Sequence, residues 1–258
     1  MTALLELDQA EQRLRPFARR HLGVRAIPVD NIVGTDSRSS DFDRDFRPLR
    51  SELRSRRERV AERFPDGQFP PIVASKLGVA YFVLDGHHRV AAARRLGMAT
   101  MDAEVTELRA HWQLGPEADV LELLHGEQHR IFMEESGLAA AAPQDVCISF
   151  SRLTAYRELL DSVESHGYRL MRERGRLLEP SEVAADWYER VYLGALETFH
   201  HEGLEPQATK GDLFLCVQER RRELLLERTD ATLEDAAREV VAADEERARS
   251  RLRRLLSR

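Results

Sequence analysis

The sequence predicts an α+β protein in which a strand-rich N-terminal domain over residues 1–138 precedes an all-α helical domain over 144–258. Three observations predict it. Ile72 to Leu84 holds two apolar runs of strand length around Lys76-Leu77-Gly78, where the glycine suits a tight hairpin. From Val90 to Leu96 the residues are strong helix formers, and Gly97 stands where a helix C-terminus prefers it. Gly137 and the small residues Ala139 to Pro143 then mark a shift in composition, beyond which the apolar residues recur at helical spacing.

The bulk numbers agree with a folded chain. Its 258 residues are ample for two modest domains, and 33% charged with 42% apolar residues is globular rather than disordered. A net charge of -6 argues against broad binding to nucleic acid or anionic membranes. No apolar run approaches the ~20 residues of a membrane span and no secretory signal is recognisable, so a cytoplasmic protein with no membrane partner is expected. Cys147 and Cys216 lie far apart in apolar contexts and are expected to be buried thiols.

In chain order, Leu4, Leu7, Leu14, Ala18 and Leu22 follow a helical face, which predicts an N-terminal helix within residues 1–24, ending at Gly23. Ile27-Pro28-Val29 reads as a short strand, and Pro28 suggests a sheet edge. Thr35 to Asp41 is a polar loop long enough to cover a site. Asp41, Asp43 and Asp45, interrupted by Phe42 and Phe46, read either as the solvated start of a helix or as carboxylates delivered to a site, to hold Mg²⁺ or take up a proton. Phe46, Leu49, Leu53, Val60 and Phe64 continue as a helical stripe up to Pro65-Asp66-Gly67.

After the central unit, Met101 to Val105 reads as a returning strand and Trp112 as part of a loop with Gly115-Pro116. Val120, Leu121, Leu124, Ile131 and Phe132 mark an amphipathic helix carrying His125 and His129 at metal-ligand spacing. Gly126 stands where a zinc-protease motif needs glutamate and no third ligand is in view, so the pair is expected on the helix surface. In the C-terminal half, Leu153 to Val163 form one stripe and Ala184 to Phe199 a wide aromatic one closed by His200-His201, whose positive charge suits a helix C-terminus. Thr209 with Asp212, and Thr232 with Asp235, read as capping boxes of two further helices. Arginines and carboxylates nearly balance over 231–258, which favours a solvated terminal helix over a DNA-binding one.

The chemistry concentrates at Asp85-Gly86-His87-His88-Arg89, between the second strand and its helix. Asp85 is a good helix cap, but capping alone does not explain two histidines and an arginine crowded at the positive end of a helix dipole. Something anionic meeting them does. Gly86 and the first-turn amides suit a phosphate, and Arg89 offers a forked guanidinium.

This stretch, preceded by Pro70-Pro71-Ile72 and followed by an alanine-rich helix, resembles the phosphate-binding core of the ParB/sulfiredoxin-like superfamily. Within it the chain resembles the free-serine kinases and a bacterial group of ParB-like proteins of unassigned function, which also have counterparts of Ile27–Gly34, Asp41–Phe46 and Trp187–Leu193. Where sulfiredoxins carry a catalytic cysteine this chain has His87, which argues against sulfiredoxin chemistry. Of the Gly-Glu-Arg-Arg box with which partition ParB proteins grip CTP only Gly86 and Arg89 match, which argues against a CTP-driven DNA clamp.

The resemblance implies a ParB/sulfiredoxin-like N-terminal domain that binds ATP or another nucleotide with Mg²⁺ and transfers phosphate to a small-molecule substrate. Gly86, His87, His88, Arg89 and Arg38 would then hold phosphate, and Asp85 would bind the metal or orient the acceptor, with His87 beside it. One of Asp36, Asp41 and Asp43 would be the general base. The alternative is a non-enzymatic, nucleotide-responsive regulator, with DNA a possible but not favoured partner.

Overall fold

The computed structural model describes residues 4–49, 64, 68–141 and 146–256, and of residues 244, 245 and 247–256 the backbone alone. The chain divides into two compact units, residues 1–130 and 131–258. The division falls at Arg130/Ile131, ahead of the composition shift at Gly137–Pro143, of which 142 and 143 lie outside the described residues.

The N-terminal unit is built on a six-stranded mixed sheet. Its strands are β1 (Leu5–Glu6), β2 (Ala18–Pro28), β3 (Ile32–Thr35), β4 (Ile72–Leu77), β5 (Ala80–Asp85) and β6 (Thr100–Arg109), in the spatial order β1-β3-β5-β4-β6-β2. The expected hairpin is β4–β5, antiparallel, and it turns at Gly78, whose φ of +67° needs glycine. Three of the five neighbouring pairs are parallel, β1 with β3, β3 with β5 and β4 with β6.

The N-terminal helix expected over 1–24 is corrected. Only α1 (Leu7–Leu14) is helical; Arg15 then takes a left-handed φ of +44° and Pro16 follows, so the helical face cannot continue. Ala18–Pro28 is instead β2, an edge strand paired antiparallel to β6 along almost its whole length, with Pro28 at its end as expected of an edge. The returning strand β6 is correspondingly longer than Met101–Val105.

The polar linker after β3 also differs from expectation. Asp41–Leu49 is no helix start but a tight reversal: Phe42 bridges Pro48, Asp43 Oδ1 accepts the amides of Asp45 and Arg47 at 3.0 and 2.8 Å, and Phe46 has a φ of +56°. The reversal turns the two aromatic rings inward, and Phe42 and Phe46 are both fully buried. Leu53, Val60 and the Pro65–Gly67 stop of the expected stripe lie outside the described residues.

On one face of the sheet, α2 (His87–Arg95) packs Val90, Ala91, Ala92 and Ala93 into a core with Ile27, Ile32, Ile72, Val83 and the two phenylalanines. On another, Leu7, Leu14, Phe82, Leu108 and Leu123 form a second cluster. Helix α3 (Val120–Glu135) shows the wrong face to the sequence pattern: Val120 and Leu121 are exposed, while His129, expected on the surface, is fully buried against Trp112 at 5.5 Å.

The C-terminal unit is helical: α4 (Leu138–Ala141), α5 (Ala155–Arg174), α6 (Pro180–Asp186), a π-helix over Trp187–Leu193, α7 (Gly194–His201), α8 (Lys210–Glu227) and α9 (Leu233–Leu256). Trp187, Tyr192, Phe199, Phe214 and Tyr156 form its aromatic centre. Thr209 caps α8 by accepting the Asp212 amide at 3.0 Å, and Thr232 and Asp235 exchange two bonds of 3.1 Å at the start of α9, as the capping boxes predict. The cysteines are corrected: both are exposed, and neither forms a disulfide among the described residues.

Candidate functional site

The first turn of α2 is set by one glycine. Gly86 is the N-cap residue, with φ +104°, and a Cβ there would meet Ile72 Cγ2 at 2.4 Å. Its carbonyl accepts the amides of Arg89 and Val90 at 2.8 and 3.0 Å, which closes the turn. Asp85, just outside, does not cap the helix. Its side chain is 73% exposed and accepts from Arg89 Nη2 at 2.5 Å.

Arg89 is mostly committed inside the protein. Besides Asp85, its Nη1 donates to the carbonyls of Pro70 and Pro71 at 3.0 and 2.6 Å, and only 19% of the side chain is exposed. The guanidinium therefore ties the segment entering β4 to the end of β5. Both carbonyls are served by the one nitrogen Nη1, while Nη2 serves Asp85.

The two histidines resolve the apparent conflict with the helix dipole by being buried. His87 is 4% exposed, and burial, with Arg38 next in effect, pushes its pKa down to about 4. It is neutral at physiological pH, so it sets no cation against the helix N-terminus. Its Nε2 lies 2.6 Å from Thr35 Oγ1. That hydroxyl also donates to Val83 O at 3.3 Å and accepts the Arg38 amide at 3.3 Å, which leaves Nε2–H as the donor in the His87 contact. Phe42 stacks on His87 at 5.8 Å and 20° and meets His88 edge-on at 5.4 Å.

Close enough to His87 to influence its protonation are Arg38 and His88 and, of opposite sign, Asp85 and Asp41. The guanidinium of Arg38 makes no hydrogen bond or ion pair among the described residues. Asp43 is placed elsewhere; its carboxylate closes its own turn and acts on Arg94 rather than His87. Asp36 is anchored by its amide to Val83 O at 3.0 Å. Among the described residues no group of three or more His, Cys, Asp or Glu could hold a metal ion by itself.

Three parts of this arrangement escape the sequence reading. Thr35 orients His87, yet in the sequence it is merely the last residue of a strand. Phe42 and Phe46, which interrupt the acidic run, roof the first turn of α2. Arg94 fastens them: it donates to Arg44 O and Ile32 O at 2.8 and 2.7 Å, and its guanidinium lies over the Phe46 ring at 5.1 Å. A groove of about 1330 Å³ opens beside this last turn of α2, lined by Asp30, Arg44, Arg94 and Arg95 among others, and not at the first turn where the motif lies.

The fold and site thus define a mixed α/β protein with a neutral, buried histidine at a strand–glycine–helix junction. No family model matches the chain, and neither does any curated protein. Among solved structures, a Pnob8-like ParB-N domain is similar at 15% identity over 91% of this chain and 98% of that one, with a TM-score of 0.23, a level of likeness too low to bear on fold or function. Among the described residues, no helix is long and apolar enough to cross a membrane.

Proposed function

We propose that the β5–α2 junction binds the phosphates of a nucleotide, and that the protein is a phosphotransferase of the ParB/sulfiredoxin-like type acting on a small hydroxyl acceptor, as the free-serine kinases do. The observation that carries this reading is the grouping of Arg38, Asp41 and Asp85 around neutral His87 at the start of a helix. First-turn amides and the helix dipole favour an anion there, and the unpaired guanidinium of Arg38 supplies the matching charge. Gly86 sets the positive-φ turn that starts the helix, and packing requires it because a Cβ would collide with Ile72.

Roles follow from exposure and commitment. Asp85, largely exposed and with one oxygen engaged, would be the carboxylate that shares Mg²⁺ with nucleotide phosphates, an ion that usually keeps several waters and takes few protein ligands. When bound, the ion would supply charge neutralisation between the phosphates. Asp41 would take the acceptor's proton as its oxygen forms a bond to phosphorus, the nucleoside diphosphate leaving from the opposite side. His87 and His88 would shape the floor, and Arg89 would hold the loop in place.

The bonds of Arg89 favour a second reading, a nucleotide-responsive regulator. An anion that drew Arg89 away would release the Pro70 and Pro71 carbonyls, and with them the segment leading into β4. One experiment separates the two: phosphate transfer to free amino acids and small polyols, serine first, with ATP, ADP or CTP and Mg²⁺, for wild type and Asp85→Asn. The enzyme reading expects turnover that Asp85→Asn cuts far more than it weakens nucleotide binding. Nucleotide-dependent thermal stabilisation without transfer to any acceptor supports the regulator, and neither stabilisation nor transfer rejects both.

A further inference from the structure

The helical unit holds a cavity of about 490 Å³ bounded by Val146–Ser149, the π-helix and the start of α8. Such a volume suits a small ligand, the usual range being about 300–1,000 Å³. The π-helix supplies Tyr188 and Tyr192, whose rings stack at 5.8 Å and 17°, and α7 adds Leu196. π-Helices are rare and frequently lie at functional sites. Cys147, Thr209 and Lys210 complete the wall.

Tyr192 and Lys210, which line this space, bring donors to it. Tyr192 is 4% exposed and fixed by its packing on Trp187 and Phe214 at 5.7 and 5.2 Å. Yet its hydroxyl has no hydrogen-bond partner among the described residues, whereas Tyr156 of the same core donates to Ile148 O at 3.1 Å. The hydroxyl oxygen is not sealed in the core, and the cavity that Tyr192 lines is where an acceptor would meet it. Burial pushes the Tyr192 pKa up, so its hydroxyl keeps its proton and remains a donor.

Lys210 lies in the first turn of α8, where a cation opposes the helix dipole, and it forms no ion pair among the described residues. The nearby Asp212 does not balance it, because its carboxylate already accepts from Ser151 N, Ser151 Oγ and Thr209 Oγ1 at 2.8 to 3.2 Å. Thr209 is likewise engaged, donating to Ser149 O at 2.6 Å. An aromatic and aliphatic wall that also carries uncommitted donors suits an apolar ring bearing an anion.

We propose that this cavity binds a small aromatic carboxylate, its ring against Tyr188 and Leu196 and its carboxylate between the Tyr192 hydroxyl and the Lys210 ammonium. The site lies wholly within the helical unit and is independent of the nucleotide reading above.

The test is calorimetric titration of the full chain with benzoate, 4-hydroxybenzoate and octanoate, and with neutral benzamide as the control. The aromatic carboxylates should bind, with benzamide at least about tenfold weaker, and Lys210→Met and Tyr192→Phe should each weaken benzoate by about tenfold or more. Leu196→Trp, which fills the cavity, should abolish binding. Lys210 is exposed, so Lys210→Met reads binding without disturbing the core; circular dichroism of the other two variants verifies that they fold. Benzamide binding as well as benzoate, an unchanged Lys210→Met, octanoate outcompeting both aromatic acids, or no binding by any carboxylate up to about 10 mM each overturns the proposal.

Discussion

Thr35 at the end of β3 and His87 at the start of α2 are joined by a 2.6 Å contact between Oγ1 and Nε2, buried at both ends. This one hydroxyl serves three groups, because Val83 O and the Arg38 amide also use it. It couples the sheet, the helix and the loop that carries Arg38.

Thr35→Val should therefore destabilise the protein by about 1–3 kcal/mol, since it keeps the shape but strands a buried imidazole donor. Thr35→Ser, which keeps the hydroxyl, should cost less. Urea unfolding of the two variants measures the difference; equal losses would mean that the methyl, not the hydroxyl, matters.

Gly86 and Gly97 flank the same helix, both with positive φ, at +104° and +66°. A Cβ at Gly97 meets nothing within 4 Å, while at Gly86 it strikes Ile72. Gly97→Ala should cost about 1 kcal/mol, the conformational penalty alone. Gly86→Ala should cost at least about 2 kcal/mol more through overpacking. Comparable melting temperatures for the two variants would contradict this.

The two guanidiniums should separate binding from stability. Arg38→Ala should weaken nucleotide or phosphate binding by about 1.5–3 kcal/mol with little change in melting temperature, as expected for loss of a charged hydrogen bond to ligand. Arg89→Ala should lower stability itself by about 0.5–1.5 kcal/mol, because it removes the bonds to the Pro70 and Pro71 carbonyls, which water then only partly replaces. Calorimetry and thermal denaturation on both variants give the four values needed.

Acid should act through two buried histidines. Burial lowers both His87 and His129 from 6.5 to about 4, with Arg38 and His111 respectively adding to the effect. Each is neutral in the folded protein while its unfolded counterpart takes up a proton below about 6.5. Stability is therefore intact above about pH 6.5 and falls as pH drops toward 4, by on the order of 3 kcal/mol per histidine at the low end. Urea midpoints across this window should decline, and His129→Gln should flatten the decline. A wild-type midpoint constant from neutrality to about pH 4.5 would show the histidines to be solvated.

What the sequence makes legible is local. The β4–β5 hairpin and α2 follow from a turn glycine and an alanine run, and both capping boxes from a threonine three residues ahead of an aspartate. The failures are equally specific. The face of Leu4, Leu7 and Leu14 is a true helical face, but extending it to Leu22 ignores Pro16 and the demand of β6 for an edge partner. Asp43 reads as a reactive carboxylate, whereas it closes a turn whose purpose is to bury two phenylalanines. His129 has the spacing of a surface ligand pair, and Trp112, distant in sequence, covers it. At the motif itself, the residue types at Asp85–Arg89 were evident, but not that Arg89 is held by backbone carbonyls or that His87 answers to Thr35; both depend on contacts between distant segments.

The π-helix at Trp187–Leu193 has a consequence for chain length. Its wider turn accommodates about one residue more than α geometry would between α6 and α7. Loss of one residue there would let the segment relax to a continuous α-helix with Ala184 on one side and Ala195 and Phe199 on the other still in phase with the core. The same deletion inside α5 would turn every later side chain by about 100°. Among the described helices of this unit, the π-helix is where a deletion can pass through the scaffold, and it also presents Tyr188 and Tyr192 to the cavity: architecture and recognition can be lost separately.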